Sequence, residues 1–186
     1  MRQVGFIIYF LASSFCWAQI NHPKASPFTT LEQEFGLSKI TVEYSRPSAK
    51  GRVLFGEQVN GKSALVPYGR IWRVGANEST KITFLSDVLI DGQDLQKGSY
   101  ALYAFPEEEE WQVVFHKNTT HWGDGRLDYN SQDDALRIKI IPLKTLDFQE
   151  NFLISFDEIT HNEITMILKW GNTKVSIPIQ IDTESI

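Results

Sequence analysis

Hydrophobic and polar residues alternate along most of the chain after residue 38, with the period of two expected for β-strands that bury one face. The clearest example is KITVEYSR (39–46), which places Ile40, Val42, Tyr44 and Arg46 on the same face. The pattern predicts a half-buried strand whose apolar face ends in a cation.

Eight further segments have strand patterns and are separated by Gly, Pro or charged residues that favour turns. They are KITFL (81–85), DVLID (87–91), SYALYAF (99–105), WQVVFH (111–116), LRIKII (136–141), FLISFDEI (152–159), ITMILKW (164–170) and KVSIPIQI (174–181). Gly171 and Asn172 predict a tight hairpin between the last two segments. Pro178 has no N–H to donate, which predicts that the final strand lies at a sheet edge.

These short strands, with no long amphipathic helical pattern, predict a mostly β protein. The predicted architecture is an antiparallel β-sandwich or a flattened barrel with long ligand-lining loops. The predicted core residues are Trp111, Val113, Phe115, Ile138, Phe156, Met166, Leu168, Trp170, Ile177 and Ile179. Each large apolar side chain contributes roughly 1.5–3 kcal/mol when it is buried.

The first residues have the pattern of a secretory signal peptide. Arg2 precedes an apolar run from Val4 to Trp17, and Cys16 and Ala18 are spaced like the small residues before a signal-peptidase site. The run is shorter than the ~20 residues that a membrane-spanning helix needs. We therefore expect export to the periplasm or the cell exterior, with no stable membrane insertion after cleavage.

This interpretation divides the chain into three parts. Residues 1–18 are expected to be a cleaved signal peptide, residues 19–38 an N-terminal arm with little periodicity, and residues 39–186 a single β-sandwich domain. Because Cys16 is the only cysteine, the exported protein would have no disulfide. Hydrophobic burial would then have to stabilise the fold alone.

The chain as a whole is acidic, with 18 Lys and Arg, 23 Asp and Glu, and a net charge of −5. This charge argues against general binding to nucleic acid or to anionic membranes. Cations are nevertheless concentrated between residues 46 and 73, where six Lys and Arg residues accompany only one carboxylate, Glu57. The distribution predicts a locally basic pocket on an acidic protein.

Two irregular regions, residues 46–80 and 117–134, interrupt the strand pattern, and loops on a rigid sheet often carry binding groups. Arginine holds carboxylate, phosphate or sulfate through paired donors, and aromatic side chains offer a flat wall to a ring. The predicted binding residues are Tyr44, Arg46, Lys50, Arg52, Tyr68, Arg70, Trp72, Arg73 and Asn77. The expected partner is a small anionic or sugar-like molecule. The structural alternative is that the arginines pair with carboxylates and Trp72 belongs to the core.

Two other functions remain open from the sequence. One is a hydrolase or lyase in which His116 or Tyr44 transfers protons while Arg46 and Arg73 stabilise negative charge. His116 is predicted on the polar face of its strand, together with Gln112. The other is a cell-envelope interaction module that uses an edge strand. The sequence does not decide whether the protein is an enzyme.

Metal and cofactor patterns are weak. His116, His121 and Asp124 offer imidazole and carboxylate ligands, but two histidines five residues apart match no standard zinc spacing. An EF-hand loop starting at Asp128 would place Asp133 where glycine is required. The P-loop, G-x-G-x-x-G and G-x-S-x-G motifs do not occur. The sequence therefore predicts no cofactor and no metal site.

Long motifs in the chain resemble a family of exported bacterial proteins, domain of unknown function 2911. They are VEYSRPSAKGR (42–52), LVPYGRIWRVGANESTKITF (65–84), KGSYALYAFPEEEEWQVVFHK (97–117) and the later pair WG. The matching positions are Tyr44, Ser45, Arg46, Pro47, Lys50, Gly51, Arg52, Pro67, Tyr68, Gly69, Trp72, Arg73, Gly75, Ala76, Asn77, Trp122 and Gly123. The resemblance spans roughly residues 26–170 and implies an exported, mostly β domain without an established activity. The spacer EQVNGKSA (57–64) departs from the family pattern by its greater length.

Overall fold

The computed structural model describes residues 23–57, 63–123 and 129–181, which form mostly β structure. Its strands are β1 Phe28–Phe35, β2 Ser38–Ser45, β3 Phe55–Gly56, β4 Val66–Pro67, β5 Thr80–Phe84, β6 Val88–Ile90, β7 Gln93–Leu95, β8 Gly98–Phe105, β9 Trp111–His116, β10 Asp134–Ile140, β11 Leu143–Asp157 and β12 Glu163–Ile181. A short 3-10 helix, Ser131–Asp133, precedes β10. Every segment predicted as a strand overlaps one of these strands.

Two antiparallel sheets pack face to face, which confirms the predicted β-sandwich. The larger sheet has the order β1-β2-β5-β8-β9-β10, and the smaller one β11-β12-β6-β7. The short strands β3 and β4 pair in parallel outside these sheets. The described strands do not close into the flattened barrel that was the other possibility.

One continuous hydrophobic core lies between the two sheets. Nine of the ten predicted core residues are buried in it, and Phe156 is partly buried against it. Part of the core is an aromatic cluster in which Trp72 and Trp170 stack at 5.9 Å and 16°, while Phe55 meets both rings edge-on. This cluster lies directly beneath the candidate site described below.

The predicted hairpin at Gly171 and Asn172 is wrong, because β12 runs without interruption from Glu163 to Ile181. Strand β11 pairs with β12 on both sides of Gly171, and β11 has extra residues between the pairs Lys144↔Thr173 and Gln149↔Gly171. Gly171 has a φ of +58°. It therefore gives one long strand a local irregularity instead of reversing the chain.

The prediction that the last strand lies at a sheet edge is also wrong, because β12 lies between β11 and β6. Pro178 is nevertheless tolerated, since it lies beyond Lys174, where the pairing of β12 with β11 ends. Its carbonyl accepts a hydrogen bond from the Asp91 N–H at 3.0 Å. Because β11 does not pair with β12 at this position, the missing proline N–H leaves no carbonyl of β11 without a donor.

The predicted N-terminal arm contains regular structure, because residues 28–35 form β1 and all eight pair with β2. The signal peptide expected at residues 1–18 lies outside the described residues. Among the residues that are described, no helix is long and apolar enough to cross a membrane.

Candidate functional site

A cavity of about 1020 Å³ lies between the two loop segments that carry most of the predicted binding residues, 47–52 and 63–76. Its volume is at the upper end of the range for small-molecule sites, roughly 300–1,000 Å³. The charged residues that line it are Lys50, Arg52, Arg70, Arg73, Glu57 and Glu107. Within the described ranges, four cations and two carboxylates line this wall, so it is locally positive on an acidic chain.

The first loop is fastened to the edge strand β11. The N–H groups of Ala49 and Phe152 donate to the carbonyls of Glu150 and Pro47, both at 2.8 Å. The Lys50 N–H donates to Glu150 Oε1 at 2.8 Å. Because several hydrogen bonds hold this loop, its side chains are presented to the cavity from a fixed backbone.

Arg52 is partly committed to its own loop. Its Nε donates to the Ala49 carbonyl at 2.9 Å and its Nη2 to the Ser48 carbonyl at 2.6 Å. By contrast, the side chains of Lys50 and Arg70 have no hydrogen-bond or ion-pair partner within the described ranges. These two cations are therefore the ones most available to a ligand.

The second loop turns at Gly69, whose φ is +68°. The Gly69 N–H donates to the Pro106 carbonyl at 2.9 Å, and Glu107 Oε1 lies only 3.1 Å from the position that a Gly69 Cβ would occupy. Burial raises the pKa of the neighbouring Tyr68, and the charges of Glu108, Glu107 and Glu57 raise it further. Tyr68 therefore stays neutral and keeps its O–H as a donor.

Trp72 lies in the core and also at the wall of the cavity. It is only 6 % exposed and belongs to the aromatic core, yet its edge also lines the cavity together with Trp170. The indole N–H donates to the Gly75 carbonyl at 3.1 Å. Trp72 thus joins the hydrophobic core to the cavity wall.

Three predicted binding residues do not line the cavity: Tyr44, Arg46 and Asn77. Tyr44 is buried, and its hydroxyl accepts a hydrogen bond from the Ile154 N–H at 3.1 Å. Arg46 Nε donates to the Phe152 carbonyl at 3.0 Å. Asn77 Nδ2 donates to the Ser26 carbonyl and to Ser45 Oγ at 3.2 and 3.1 Å. The Tyr44 hydroxyl, Arg46 Nε and Asn77 Nδ2 are thus bonded within the scaffold.

The match to a family model covers residues 26–179 and includes both loops of the cavity. The chain belongs to the DUF2911 family. The description of this family is "protein of unknown function", so membership confirms the resemblance without supplying an activity. The chain has no match among curated proteins or among solved structures.

His116 of this DUF2911 chain does not line the cavity. It lies on the face of β9 opposite the main core, and its side chain is fully buried there. Its Nδ1 accepts from the Asn118 N–H at 3.1 Å, and its Nε2 lies 3.1 Å from the Asn130 carbonyl. His121 Nδ1 lies 2.8 Å from the Tyr103 hydroxyl, and the two imidazole rings are 5.4 Å apart.

The proposed third metal ligand, Asp124, falls outside the described residues. Within residues 23–57, 63–123 and 129–181, no three His, Cys, Asp or Glu side chains converge on a possible metal position.

Among the residues that line the cavity of the DUF2911 domain but were not predicted from the sequence are Glu107 and Trp170. Glu107 belongs to an acidic run that suggests a solvated turn, and Trp170 was assigned to the core alone. Neither residue carries a local signal for the site, because Glu107 reaches it from the turn after β8 and Trp170 from β12, both distant in sequence from the two loops. The hydrogen bond from Gly69 to Pro106 and the two backbone hydrogen bonds between Trp72 and Ala104 bring the acidic turn to the cavity.

Proposed function

We propose that the protein binds a small molecule with an anionic group and a sugar-like or aromatic ring in this cavity. The observation that carries the proposal is the convergence of residues 47–52 and 63–76 on one cavity with a positive wall. Lys50 and Arg70 are available to an anion, and the edges of Trp72 and Trp170 offer an apolar surface to a ring.

The hydrolase or lyase hypothesis requires Tyr44 or His116 to face the cations. The Tyr44 hydroxyl is bonded to the backbone of Ile154, and both nitrogens of His116 contact backbone groups. Neither residue lines the cavity. A general acid or base must come within hydrogen-bond reach of the substrate, so the binding function is better supported.

An interaction module that pairs through an edge strand is less well supported. Strand β11 is the edge of the smaller sheet and bears exposed Leu146 and Phe148, but extra residues interrupt its pairing in this part. The loop 47–52 also covers its backbone at Glu150 and Phe152. Irregular and covered edges disfavour pairing with another strand.

The binding proposal is tested by measuring the melting temperature with glucose 6-phosphate, glucose 6-sulfate or glucuronate, and with neutral glucose as the reference. At about ten times Kd, a bound anion should raise the melting temperature by roughly 3–6 °C. Replacing both Lys50 and Arg70 by alanine should remove most of this increase.

The matched control replaces Lys97 and Lys144 by alanine, which removes the same charge from exposed positions outside the cavity. This control should respond to the anions as the wild type does. Equal loss in both double variants would mean that only net charge matters. No stabilisation of the wild type by any of the three anions would contradict the proposal.

We also propose that the protein is exported, on the basis of the apolar run from Val4 to Trp17 behind Arg2. Expression of the full chain in a bacterium, cell fractionation and N-terminal sequencing test this. The exported form should begin at Gln19. Recovery from the cytoplasm with residues 1–18 intact would contradict export.

A further inference from the structure

A backbone segment in a costly conformation, residues 73–77, borders the cavity, and its residues Arg73, Gly75 and Ala76 line it. Val74 has a φ of 50° and Asn77 a φ of 61°. A left-handed conformation is rare for a β-branched residue, and such residues persist only where the surroundings hold them. Val74 is fully buried, so packing fixes the segment in this shape.

The first peptide group of interest joins Val74 to Gly75. The Thr80 hydroxyl donates to the Val74 carbonyl at 2.6 Å, and Thr80 is fully buried. The peptide bonds of the described residues are trans, and in a trans peptide the N–H points opposite to the carbonyl. The Gly75 N–H therefore points away from the buried Thr80 side chain.

The next peptide group, from Gly75 to Ala76, is held in the same way. The Trp72 indole N–H donates to the Gly75 carbonyl at 3.1 Å from its place in the aromatic core. The Ala76 N–H must then point away from that indole. The N–H groups of Gly75 and Ala76 thus both point away from the buried side chains that donate to the carbonyls of the same two peptide groups.

Neither of these N–H groups has an acceptor in the described part of the chain. Gly75 and Ala76 both line the cavity, and a glycine contributes only backbone atoms to a wall. A Cβ on Gly75 would lie 3.0 Å from the Ser45 carbonyl oxygen and from Thr80 Oγ1. The close approach leaves room for glycine alone at this position.

We propose that the backbone N–H groups of Gly75 and Ala76 bind an oxyanion of the ligand. Successive backbone N–H groups form anion-binding concavities. The class of group is a phosphate, a sulfate or a carboxylate. This inference rests on the proposed function and locates the ligand's anionic group at residues 75 and 76.

The decisive experiment is a titration of the ¹⁵N-labelled full chain with sodium sulfate, followed by amide chemical shifts. Sulfate keeps a constant charge over the neutral range, so its own titration does not contribute. The amide protons of Gly75 and Ala76 should move downfield and saturate with one Kd. The Gly92 amide, in an exposed turn with a φ of +73° outside the cavity, should move little.

Saturable shifts at Lys50 and Arg52 with no movement of Gly75 and Ala76 would overturn this inference and leave the proposed function standing. No saturable shift at any residue of the cavity would overturn both. The two failures are therefore distinguishable.

A pair of variants at position 76 provides a second test. Ala76→Pro removes the N–H, whereas Ala76→Ser keeps it. The proline variant should bind sulfate about tenfold more weakly than wild type, the loss expected for one hydrogen bond to a charged group. The serine variant should bind with wild-type affinity. Equal affinity of both variants would overturn the inference, and the wild-type titration decides it if the proline variant does not fold.

Discussion

Tyr44 in β2 and Arg46, the residue after β2, reach across the sandwich to the backbone of β11. The Ile154 N–H donates to the Tyr44 hydroxyl, and Arg46 donates to the Phe152 carbonyl. An edge strand has a row of backbone groups without a strand partner. These two side chains therefore satisfy part of β11 and join the two sheets.

At the scale of single residues, Tyr44→Phe should reduce the free energy of unfolding without changing the affinity for the ligand. The substitution leaves the buried Ile154 N–H without its acceptor, which costs about 1–3 kcal/mol. Urea unfolding measures the loss, and the anion titration measures binding. Tyr100→Phe is the matched control, because its hydroxyl only donates to the nearby Gln96 carbonyl. Weaker binding with unchanged stability would instead place Tyr44 in the site.

At the scale of elements, Gly171 allows β12 to pass the irregular part of β11. A Cβ at this position would lie 2.7 Å from Leu54 Cδ1 and 3.5 Å from Phe148 Cε2. Leu54 follows the first loop of the cavity, so the irregular part of β12 at Gly171 lies next to a residue that adjoins the site.

Gly171→Ala should therefore destabilise the protein by more than Gly92→Ala. Both glycines have positive φ, and each substitution costs about 1–2 kcal/mol for the left-handed backbone. Only the side chain at position 171 also meets Leu54, since nothing lies within 4 Å at position 92. Denaturant unfolding of the two variants provides the comparison. An equal loss would mean that Leu54 moves aside without cost.

A second element-scale feature is the link between Tyr129 and β10. The Tyr129 hydroxyl donates to Asp134, and Arg137 bonds both residues while lying 5.0 Å from the Phe105 ring. Burial raises the pKa of Tyr129 well above 10.0, and the hydrogen bond to Asp134 raises it further. The folded protein therefore keeps this phenol protonated in alkaline solution.

This shift predicts a loss of stability at high pH. The phenol of the unfolded chain ionises near pH 10.0, whereas the folded one keeps its proton. The contribution of Tyr129 is thus complete below pH 10.0 and is lost as the pH rises above it. The stability advantage of wild type over Tyr129→Phe should shrink between about pH 8 and about pH 11. A constant or growing advantage in urea unfolding would contradict the assignment.

At the scale of the whole molecule, a chain with a negative net charge contains a cavity with a positive wall. The net charge is −5, yet among the residues that the structure describes, four cations and two carboxylates line the cavity. The surrounding negative charge opposes the approach of an anion at long range, while the cavity cations attract it at short range. Salt screens both effects, but contacts within the cavity dominate the affinity.

Ligand affinity should consequently fall several-fold when NaCl is raised from roughly 0.05 M to roughly 0.5 M. Isothermal titration with the most stabilising of the three anionic probes measures this effect. Glucose is the control, since any affinity for a neutral sugar should not change. An affinity for the anion that rises with salt would mean that repulsion by the acidic surface outweighs the cavity cations.

The lining of the candidate cavity was partly predictable from sequence. Six of the nine predicted binding residues line the cavity: Lys50, Arg52, Tyr68, Arg70, Trp72 and Arg73. They share irregular, glycine-containing segments, which the sequence identifies directly. Tyr44, Arg46 and Asn77 resemble them in chemistry, but nearby backbone or hydroxyl groups engage their side chains.

The sequence by itself determined a mostly β fold and eight of the twelve described strands, because a period of two in hydrophobicity is a local property that each segment carries alone. The packing of two open sheets decided for the sandwich over the flattened barrel. The tertiary structure decided that β12 is continuous, that it lies inside its sheet and that two loops meet around a cavity. It also decided the direction of the Gly75 and Ala76 N–H groups, through Thr80 and Trp72. Strand pairing and loop convergence depend on contacts between residues distant in the chain, and no local pattern specifies them.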